Sequence, residues 1–282
     1  MSLHTANQAS ANQALLALHN VTVNLGKRSF GPFTLSVQAG ERVAILGPSG
    51  AGKSTLLKLL ARELNTASGQ ATFCQRDLKL WSLVDLSRHR AILPQSHEVA
   101  FGLPVELVIG LGRVARAYDP DIKHIVRQSA ALACAGHLLE RRFDTLSGGE
   151  KARVQMARVF AQLWDVEKGL LLVDEPLAAL DPGLQFSLMD SIYTFAAQRG
   201  HAILAILHDI NQALQGFERL IFIKNGSMTG DYSSQQMTIP LLEALYDVSL
   251  ISAVSASGEI IVAPSKTQTE YRSSTAVRQS HV

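Results

Sequence analysis

The sequence has little of several features that mark particular classes of protein. Only 6% of its 282 residues are aromatic. Its two cysteines, Cys74 and Cys134, stand far apart and outside any metal-ligand spacing. Such sparse usage is typical of a reducing compartment and predicts ordinary buried or half-buried thiols instead of a disulfide framework. No apolar run approaches the roughly 18 residues of a membrane-spanning helix, so the sequence predicts no transmembrane segment.

An excess of charge of one sign is also missing. The 26 basic and 24 acidic residues leave a net charge of +2, so nothing attracts the whole chain to nucleic acid or to acidic lipid. No lysine or arginine precedes Lys27, and residues 1–13 are rich in Asn, Gln, Ala and Ser. This is not the pattern of a secretory signal. We therefore expect a cytoplasmic protein with a disordered arm over residues 1–14 and no nucleic-acid partner.

What the chain does contain is a phosphate-binding loop at residues 47–55. The segment fits the pattern G-x-x-x-x-G-K-[ST]. An apolar run at 41–46 precedes it and a helix-forming run at 56–64 follows it, which is the strand–loop–helix context that the motif requires. By itself the loop indicates nucleotide binding and no more. The predicted nucleotide contacts are Gly47, Pro48, Ser49, Gly50, Ala51, Gly52, Lys53, Ser54 and Thr55.

The residue types of this loop suit a phosphate group. Glycines let the backbone approach a phosphate and turn its N–H groups inward, and the start of the following helix adds partial positive charge. Lys53 is predicted to supply a full charge to the β- and γ-phosphates. The hydroxyl of Ser54 is the expected Mg²⁺ ligand, and Thr55 is expected to support the phosphate contact.

Several polar residues follow predicted strands, where ligands bind in open α/β sheets. The buried run at 170–173 ends in Asp174 and Glu175. Asp174 is suited to hold Mg²⁺, directly or through water, and Glu175 to orient and deprotonate the attacking water. His208 ends the next predicted strand and is placed to contact the γ-phosphate. Gln95 follows a short strand and is a candidate for contact with Mg²⁺ or with the attacking water.

These residue types have an alternative interpretation. An acidic pair such as Asp174 and Glu175, taken alone, often belongs to a solvated loop, and a lone histidine such as His208 often has only a structural role.

A second candidate phosphate site is the segment Leu-Ser-Gly-Gly-Glu at 146–150, called here the signature. The hydroxyl of Ser147 and the amides of two glycines, including Gly149, stand at the predicted start of a helix and can bind an anion. Because one chain has one phosphate loop, a second such surface suggests that two chains share each nucleotide. The helix itself is predicted to bury one apolar face. Its members are Ala152, Met156, Val159, Phe160 and Leu163.

The remaining pattern predicts an α/β protein. Alternation over 15–25 and 33–37 indicates half-exposed strands, and Asn225-Gly226 indicates a hairpin. Residues 96–145 alternate between helical patterns and glycine or proline breaks, which indicates a helical insertion. Buried parallel strands are expected at 170–173 and 202–207, and a short helix at 239–246, with one or two strands around Gly258.

With these motifs in family order, the sequence resembles the ATP-binding cassette family of transporter ATPases over about residues 15–235. The segment Ala179-Leu180-Asp181 matches the family's D-loop, and Gln95 its Q-loop. The resemblance implies an α/β P-loop NTPase fold with a RecA-like core, an N-terminal antiparallel β-subdomain and a helical subdomain inserted at about residues 96–165. The ATPase domain is then expected to span residues 15–264, followed by a flexible tail over 265–282.

The resemblance also implies an assembly. Two cassettes stack head to tail as a homodimer, and ATP lies between the phosphate loop of one and the signature of the other. Ser147 and Gly149 would then act on the γ-phosphate bound by the partner. Two transmembrane permease subunits are implied, with residues 96–113 as the docking surface, and a periplasmic or extracellular binding protein acts indirectly. The expected location is the cytoplasmic face of the inner membrane, as a peripheral subunit.

Shorter stretches suggest the type of importer. Residues 81–95 and 105–113 look like the importers of iron complexes and cobalamin, and within these, residues 90–95 and 159–164 look most like haem importers. The sequence therefore predicts an ATPase that energises haem import. A ferric-siderophore or cobalamin importer, a soluble cassette protein acting in translation or DNA repair, and a nucleotide-binding regulator that does not hydrolyse ATP remain as alternatives.

The sequence departs from the family pattern in three ways. Leu25 stands where an aromatic ring usually stacks on adenine, and Ala178 replaces the usual serine before the D-loop motif. Lys151-Ala152 stands where glutamines are frequent, while Arg153 is retained. None of these changes removes a catalytic group, so an active ATPase is expected.

Overall fold

The computed structural model of the protein describes residues 14–94, 102–174, 180–256, 258 and 260–265. Its strands are β1 (Leu16–Leu25), β2 (Arg28–Val37), β3 (Arg42–Leu46), β4 (Ser68–Phe73), β5 (Arg76–Asp77), β6 (Arg90–Leu93), β7 (Leu170–Asp174), β8 (Ala202–Ile206), β9 (Arg219–Lys224), β10 (Ser227–Ser233), β11 (Leu250–Val254) and β12 (Ile260–Pro264). Its helices are α1 (Lys53–Leu60), α2 (Leu83–His89), α3 (Val105–Gly110), α4 (Ile122–Leu132), α5 (Gly148–Leu163), α6 (Pro182–Arg199), α7 (Ile210–Gly216) and α8 (Ile239–Tyr246). Across these ranges, every helix is too short or too polar to span a bilayer.

The centre of the molecule is a six-stranded sheet in the order β10-β9-β3-β8-β7-β6. All neighbours run parallel except β10, which pairs with β9 as an antiparallel hairpin. Parallel strands covered on both faces are continuously apolar. The two runs predicted from the sequence, 170–173 and 202–207, form β7 and β8 side by side, with Leu172 opposite Leu204. The prediction of a buried parallel sheet is confirmed.

Successive side chains of the central sheet enter two different hydrophobic cores. Leu171 and Val173 face the core shared with α5 and α6, whereas Leu170 and Leu172 face the core shared with α1 and a smaller sheet. That smaller sheet is antiparallel, in the order β2-β1-β4-β5. The α/β fold with an N-terminal antiparallel β-subdomain is therefore confirmed.

The helices α3, α4 and α5 stand between β6 and β7 in the chain, where the sequence predicts a helical insertion. Phe160 of α5 packs on Phe195 of α6, with ring centroids 4.5 Å apart. All five positions predicted for the apolar face of α5 are buried. They are Ala152, Met156, Val159, Phe160 and Leu163.

Some boundaries differ from the prediction. The strand predicted at 33–37 begins at Arg28, because Leu25 and Arg28 pair across the short turn at Gly26 and Lys27. The helix after the phosphate loop starts at Lys53, as expected, but the helix-forming run at 56–64 is helical only to Leu60. Its end is set by Arg62, whose backbone is left-handed with φ 58.

The prediction of buried or half-buried cysteines is wrong. Cys74 and Cys134 are both exposed. Each lies in a turn with positive φ, 48 at Cys74 after β4 and 52 at Cys134 after α4. A turn holds its residues at the surface, and this local geometry outweighs the usual preference of the thiol for the interior.

The end of the described chain forms a small unit, made of α8, β11 and β12 and called here the C-terminal unit. Its helix confirms the prediction at 239–246, and its two strands pair as an antiparallel hairpin around Gly258. Four of its side chains are buried in the core shared with α5 and α6. They are Leu242, Leu245, Leu250 and Val262.

Candidate functional site

The phosphate loop joins the end of β3 to the start of α1, as the motif requires. Gly50 and Gly52 have φ values of 74 and 105, in the left-handed region that favours glycine. The loop is also closely packed against its neighbours. A Cβ on Gly47 would collide with the carbonyl oxygen of Ile223, and one on Gly52 would lie 2.8 Å from the ring of Phe30. The loop therefore needs glycine at these positions for close packing as well as for its turns.

Lys53 places its charge inside the curve of this loop. The side chain is buried, and Nζ donates to the carbonyl oxygens of Gly47 at 2.8 Å and Pro48 at 3.1 Å. Gly52, at the N-cap of α1, has no side chain to cap the helix, so the first N–H groups of α1 are open to an anion. Ser54, in the first turn of α1, is exposed, and Thr55 is half-buried.

The parallel sheet brings further polar residues to the same edge. Strands β3, β8 and β7 are neighbours, so the phosphate loop after β3, the residues after β8 and the end of β7 lie along one line. Asp174 is the last residue of β7 and is paired in register with Ile206 of β8. His208 follows two residues after the end of β8 and is exposed. The structure thus gathers Lys53, Asp174 and His208 at the carboxyl edge of the sheet.

Two predicted catalytic residues lie outside the described residues. These are Glu175 and Gln95, together with Ala178 and Ala179 of the D-loop region. Their roles stay predictions that rest on the sequence.

The signature opens α5 with a capping box. The backbone N–H of Glu150 donates to the hydroxyl of Ser147 at 3.3 Å, and the N–H of Ser147 donates to the Glu150 carboxylate at 2.8 Å. These contacts hold the helix start in shape and lower the pKa of Glu150, with the Ser147 N–H as the main cause. Gly149 has little room, because a Cβ would lie 2.9 Å from Leu184. The predicted anion site is thus a rigid helix N-terminus.

Comparison with known proteins decides the family, because the family described as ABC transporter matches residues 30–178. The chain belongs to this family. Among curated relatives, the hemin import ATP-binding protein HmuV of Pseudomonas aeruginosa is 42% identical over 216 residues, which are 75% of this chain and 84% of that protein. The protein of the same name from Shewanella denitrificans is 36% identical over 254 residues, which are 88% of this chain and all of that protein (100%).

Solved structures agree on the fold. A chain of an ABC transporter assigned to the metal-chelate type, in an inward-facing conformation, superposes with a TM-score of 0.76 at 20% identity and covers 90% of this chain and 98% of its own. The Clostridium perfringens protein cbiO1, part of the ABC transporter complex cbiONQ, gives 0.71 at 23% identity and covers 79% and 90%. The family match and the curated relatives show that the protein is a transport ATPase of the ABC type, which binds and hydrolyses ATP.

The sequence patterns do not indicate two residues beside the phosphate loop, Arg28 and Phe30. The ring of Phe30 lies under Gly52 of the phosphate loop, and the guanidinium of Arg28 lies 5.5 Å from the centre of that ring. Leu25 stands opposite Arg28 in the hairpin and is 40% exposed. Leu25, Arg28 and Phe30 form a strip that leads away from the loop, called here the hairpin strip. The strand predicted from the sequence begins at residue 33, so the alternation of Arg28 and Phe30 lies outside it.

We expect Lys53→Ala to abolish ATP binding, because it removes the one charge that the loop encloses. Fluorescent ATP-analogue titration measures this directly. Lys58→Ala is a matched control, since Lys58 is an exposed lysine on the same helix and its loss should leave affinity unchanged. Equal affinity in the Lys53 variant and the wild type would contradict the assignment of the phosphate loop.

Proposed function

We propose that this ABC-type ATPase energises the import of haem through separate membrane permease subunits. The observation that carries the proposal is the match to relatives named hemin import ATP-binding proteins, at 36–42% identity and over as much as 88% of this chain. A ferric-siderophore or cobalamin importer is the second candidate, and the likeness in fold to a metal-chelate type transporter is consistent with it.

The retained polar residues favour hydrolysis over a purely regulatory role. Lys53 would hold the β- and γ-phosphates, and His208 would contact the γ-phosphate from the end of the next strand. Glu175 would orient and deprotonate the attacking water, with Gln95 contacting the water or the metal. A general base of this kind contributes about 10²–10⁴-fold to the rate.

The donor set fits a Mg²⁺ ion. Ser54 and Asp174 offer a hydroxyl and a carboxylate, and in the described ranges no three acidic, histidine or cysteine side chains cluster as a metal cage. Mg²⁺ is commonly held in this way, by one or two protein oxygens with substrate phosphates and water. When bound, the ion supplies positive charge against the phosphate oxygens. Gln95 is a further proposed ligand.

We propose that the signature acts together with a second copy of the chain. Ser147 and Gly149 present a helix N-terminus, which favours a bound anion, and we propose that it binds the γ-phosphate on the partner's phosphate loop. The active unit is then a head-to-tail homodimer that closes on ATP and opens after hydrolysis. The dimer would sit on the cytoplasmic face of the inner membrane, served indirectly by a periplasmic or extracellular binding protein.

Residues beyond Gly102 form the proposed docking surface for the permease. A cleft of about 700 Å³ lies between α3 and α4. Leu107, Leu111, Val114 and Tyr118 around it are 52%, 41%, 79% and 83% exposed. Such a contiguous apolar patch marks an interaction site, and its concave shape suits a short helix. We therefore extend the proposed docking surface beyond the predicted 96–113 segment by several of the residues that the structure describes.

A buried ion-pair group stiffens this cleft from below. The guanidinium of Arg113 binds the carboxylates of Asp119 and Asp165, each at 2.6 Å, and donates to the carbonyl oxygen of Ala161 at 3.1 Å. The hydrogen bond from Arg113 is the main cause that lowers the pKa of Asp119. Asp119 therefore keeps its charge, and its ion pair with Arg113, to a lower pH than a free aspartate would.

We expect haem-loaded binding protein to stimulate ATP hydrolysis by the complex with its permease in proteoliposomes. Stimulation by haem alone, and not by ferric siderophore or cobalamin, would support haem import. Stimulation by another cargo would replace the haem assignment, and an active ATPase that reconstitutes with no permease would favour a soluble cassette protein.

In the same assay we expect the variant Leu111→Glu to lose the stimulation but keep basal hydrolysis, because it places a charge on the docking surface. Val254→Glu, on an exposed valine of β11, is the matched control.

We expect Glu175→Gln to lower turnover by about 10²–10⁴-fold, because the amide cannot take the proton of the attacking water. ATP should still bind and should hold the dimer closed, which light scattering at saturating ATP would detect. Glu167→Gln, at an exposed glutamate, should behave as the wild type. Hydrolysis near the wild-type rate in the Glu175 variant would remove Glu175 from the role of base.

We also propose that the hairpin strip receives the adenine base, with the apolar Leu25 and the planar guanidinium of Arg28 in place of an aromatic ring. Stacking on an aromatic ring is worth about 1–3 kcal/mol per base, so Leu25→Tyr should tighten ATP binding by about tenfold. Lys27→Tyr puts the same ring in the adjacent turn and should change little. Equal titration curves for Leu25→Tyr and the wild type would contradict this subsite.

A further inference from the structure

The C-terminal unit lies outside the matched family region, which ends at residue 178, yet it is attached at two places beside the catalytic edge of the sheet. One attachment is at Asn211, three residues after His208. The Asn211 side chain donates to the carbonyl oxygen of Val262 at 3.0 Å and accepts from the Val262 N–H at 2.7 Å. With four of its side chains in the main core, the unit is part of the domain and not an appendage.

The second attachment is at Lys224, the last residue of β9. Its Nζ donates to the carbonyl oxygen of Ala244 at 2.6 Å and to the Asp247 carboxylate at 2.7 Å. Both acceptors belong to the C-terminal end of α8, where a cation is favoured by the helix dipole and by the open carbonyl groups. The end of β9 is thus fastened to the end of α8 by two charge-assisted hydrogen bonds.

The end of β9 also packs directly against the phosphate loop. Gly47 has no room for a Cβ because the carbonyl oxygen of Ile223, the neighbour of Lys224, occupies that place. Two residues after Lys224, the N–H of Gly226 donates to the carbonyl oxygen of Ala51 at 2.9 Å. The loop is therefore touched near its beginning and at its middle by the segment that Lys224 anchors.

Tyr246 of α8 lies close to the start of the loop. Its hydroxyl oxygen is enclosed and makes no hydrogen bond with the residues that the structure describes, and the Gly47 N–H is near enough to affect its pKa. Burial raises the pKa of Tyr246 to about 12, and the Gly47 N–H acts in the opposite direction. The group therefore stays a neutral hydroxyl against the first residue of the phosphate loop.

We infer that Lys224 and Tyr246 are positioning residues, through which the C-terminal unit sets the place of the phosphate loop and hence the affinity for ATP. The catalytic groups of the site stand on β7 and after β8, on the other side of β3 from β9. Displacement of the loop by this route should therefore weaken nucleotide binding more than it slows the hydrolysis of bound ATP.

The test compares Lys224→Met, which keeps the aliphatic stem but removes both hydrogen bonds, with Tyr246→Phe, which removes only the hydroxyl. Each variant is measured as the full chain for the dissociation constant of an ATP analogue, for kcat and KM, and for the melting temperature. For Lys224→Met we expect the dissociation constant and KM to rise by about 3–10-fold, the scale of a partly transmitted charge-assisted hydrogen bond, with kcat within about twofold. For Tyr246→Phe, which removes no hydrogen bond, we expect a smaller rise of the dissociation constant and KM, with kcat unchanged. Lys224→Arg should restore most of the affinity, since it keeps the charge and the donors.

Glu218→Gln is the matched control, because it weakens the ion pair between Arg42 and Glu218 (2.9 Å) at the opposite end of β3 and β9, far from the loop. A lower melting temperature with unchanged ATP affinity in both test variants would show a merely structural role and overturn the inference. So would an equal loss of affinity in the control. Failure of the phosphate-loop assignment itself would be seen separately, as ATP binding that survives in Lys53→Ala.

Discussion

The close approach of two backbones, at Gly47 and Ile223, is the constraint on which the rest of the site depends. The parallel pairing of β3 with β9 brings the end of one strand against the end of the other, and the space between them excludes any side chain. The phosphate loop starts from that fixed point and curves around Lys53, whose ammonium group bridges Gly47 and Pro48. Stiffness at the first glycine lets the open N–H groups of α1 face an anion without reorganisation.

The parallel sheet turns this local arrangement into a catalytic edge. Parallel strands end on the same side, so residues that are more than a hundred positions apart in sequence, such as Lys53 and Asp174, reach one line because β3, β8 and β7 are neighbours. The same strands alternate their side chains between two cores, which fixes the register on both faces. A slip of one residue would exchange Leu171 with Leu172 between the two cores and would displace Asp174 from the edge.

Sequence patterns predict those features whose signal is local. The apolar runs of β7 and β8, the helical spacing of α5 and the strand–loop–helix order around residues 47–55 each lie within one short segment, and each is confirmed. Contacts between distant segments leave no such pattern: nothing around Lys224 indicates that its ammonium group caps α8. The exposed Cys74 shows a different limit, because a left-handed turn decides its position and the residue type does not.

The proposed coupling between permease and nucleotide has a physical carrier in α5. This helix of 16 residues is about 24 Å long, with the signature residue Ser147 at its N-cap and the carbonyl oxygen of Ala161 near its C-terminal end. Arg113, under the docking cleft, binds that oxygen and Asp165 just beyond the helix. A permease helix that shifted the floor of the cleft would therefore act on one end of this helix, whose other end faces the partner's phosphate in the proposed dimer. Because linkage is reciprocal, closure of the signature on ATP would then bias the cleft by the same free energy with which the permease biases closure, and the Arg113 group would transmit the effect in both directions along α5.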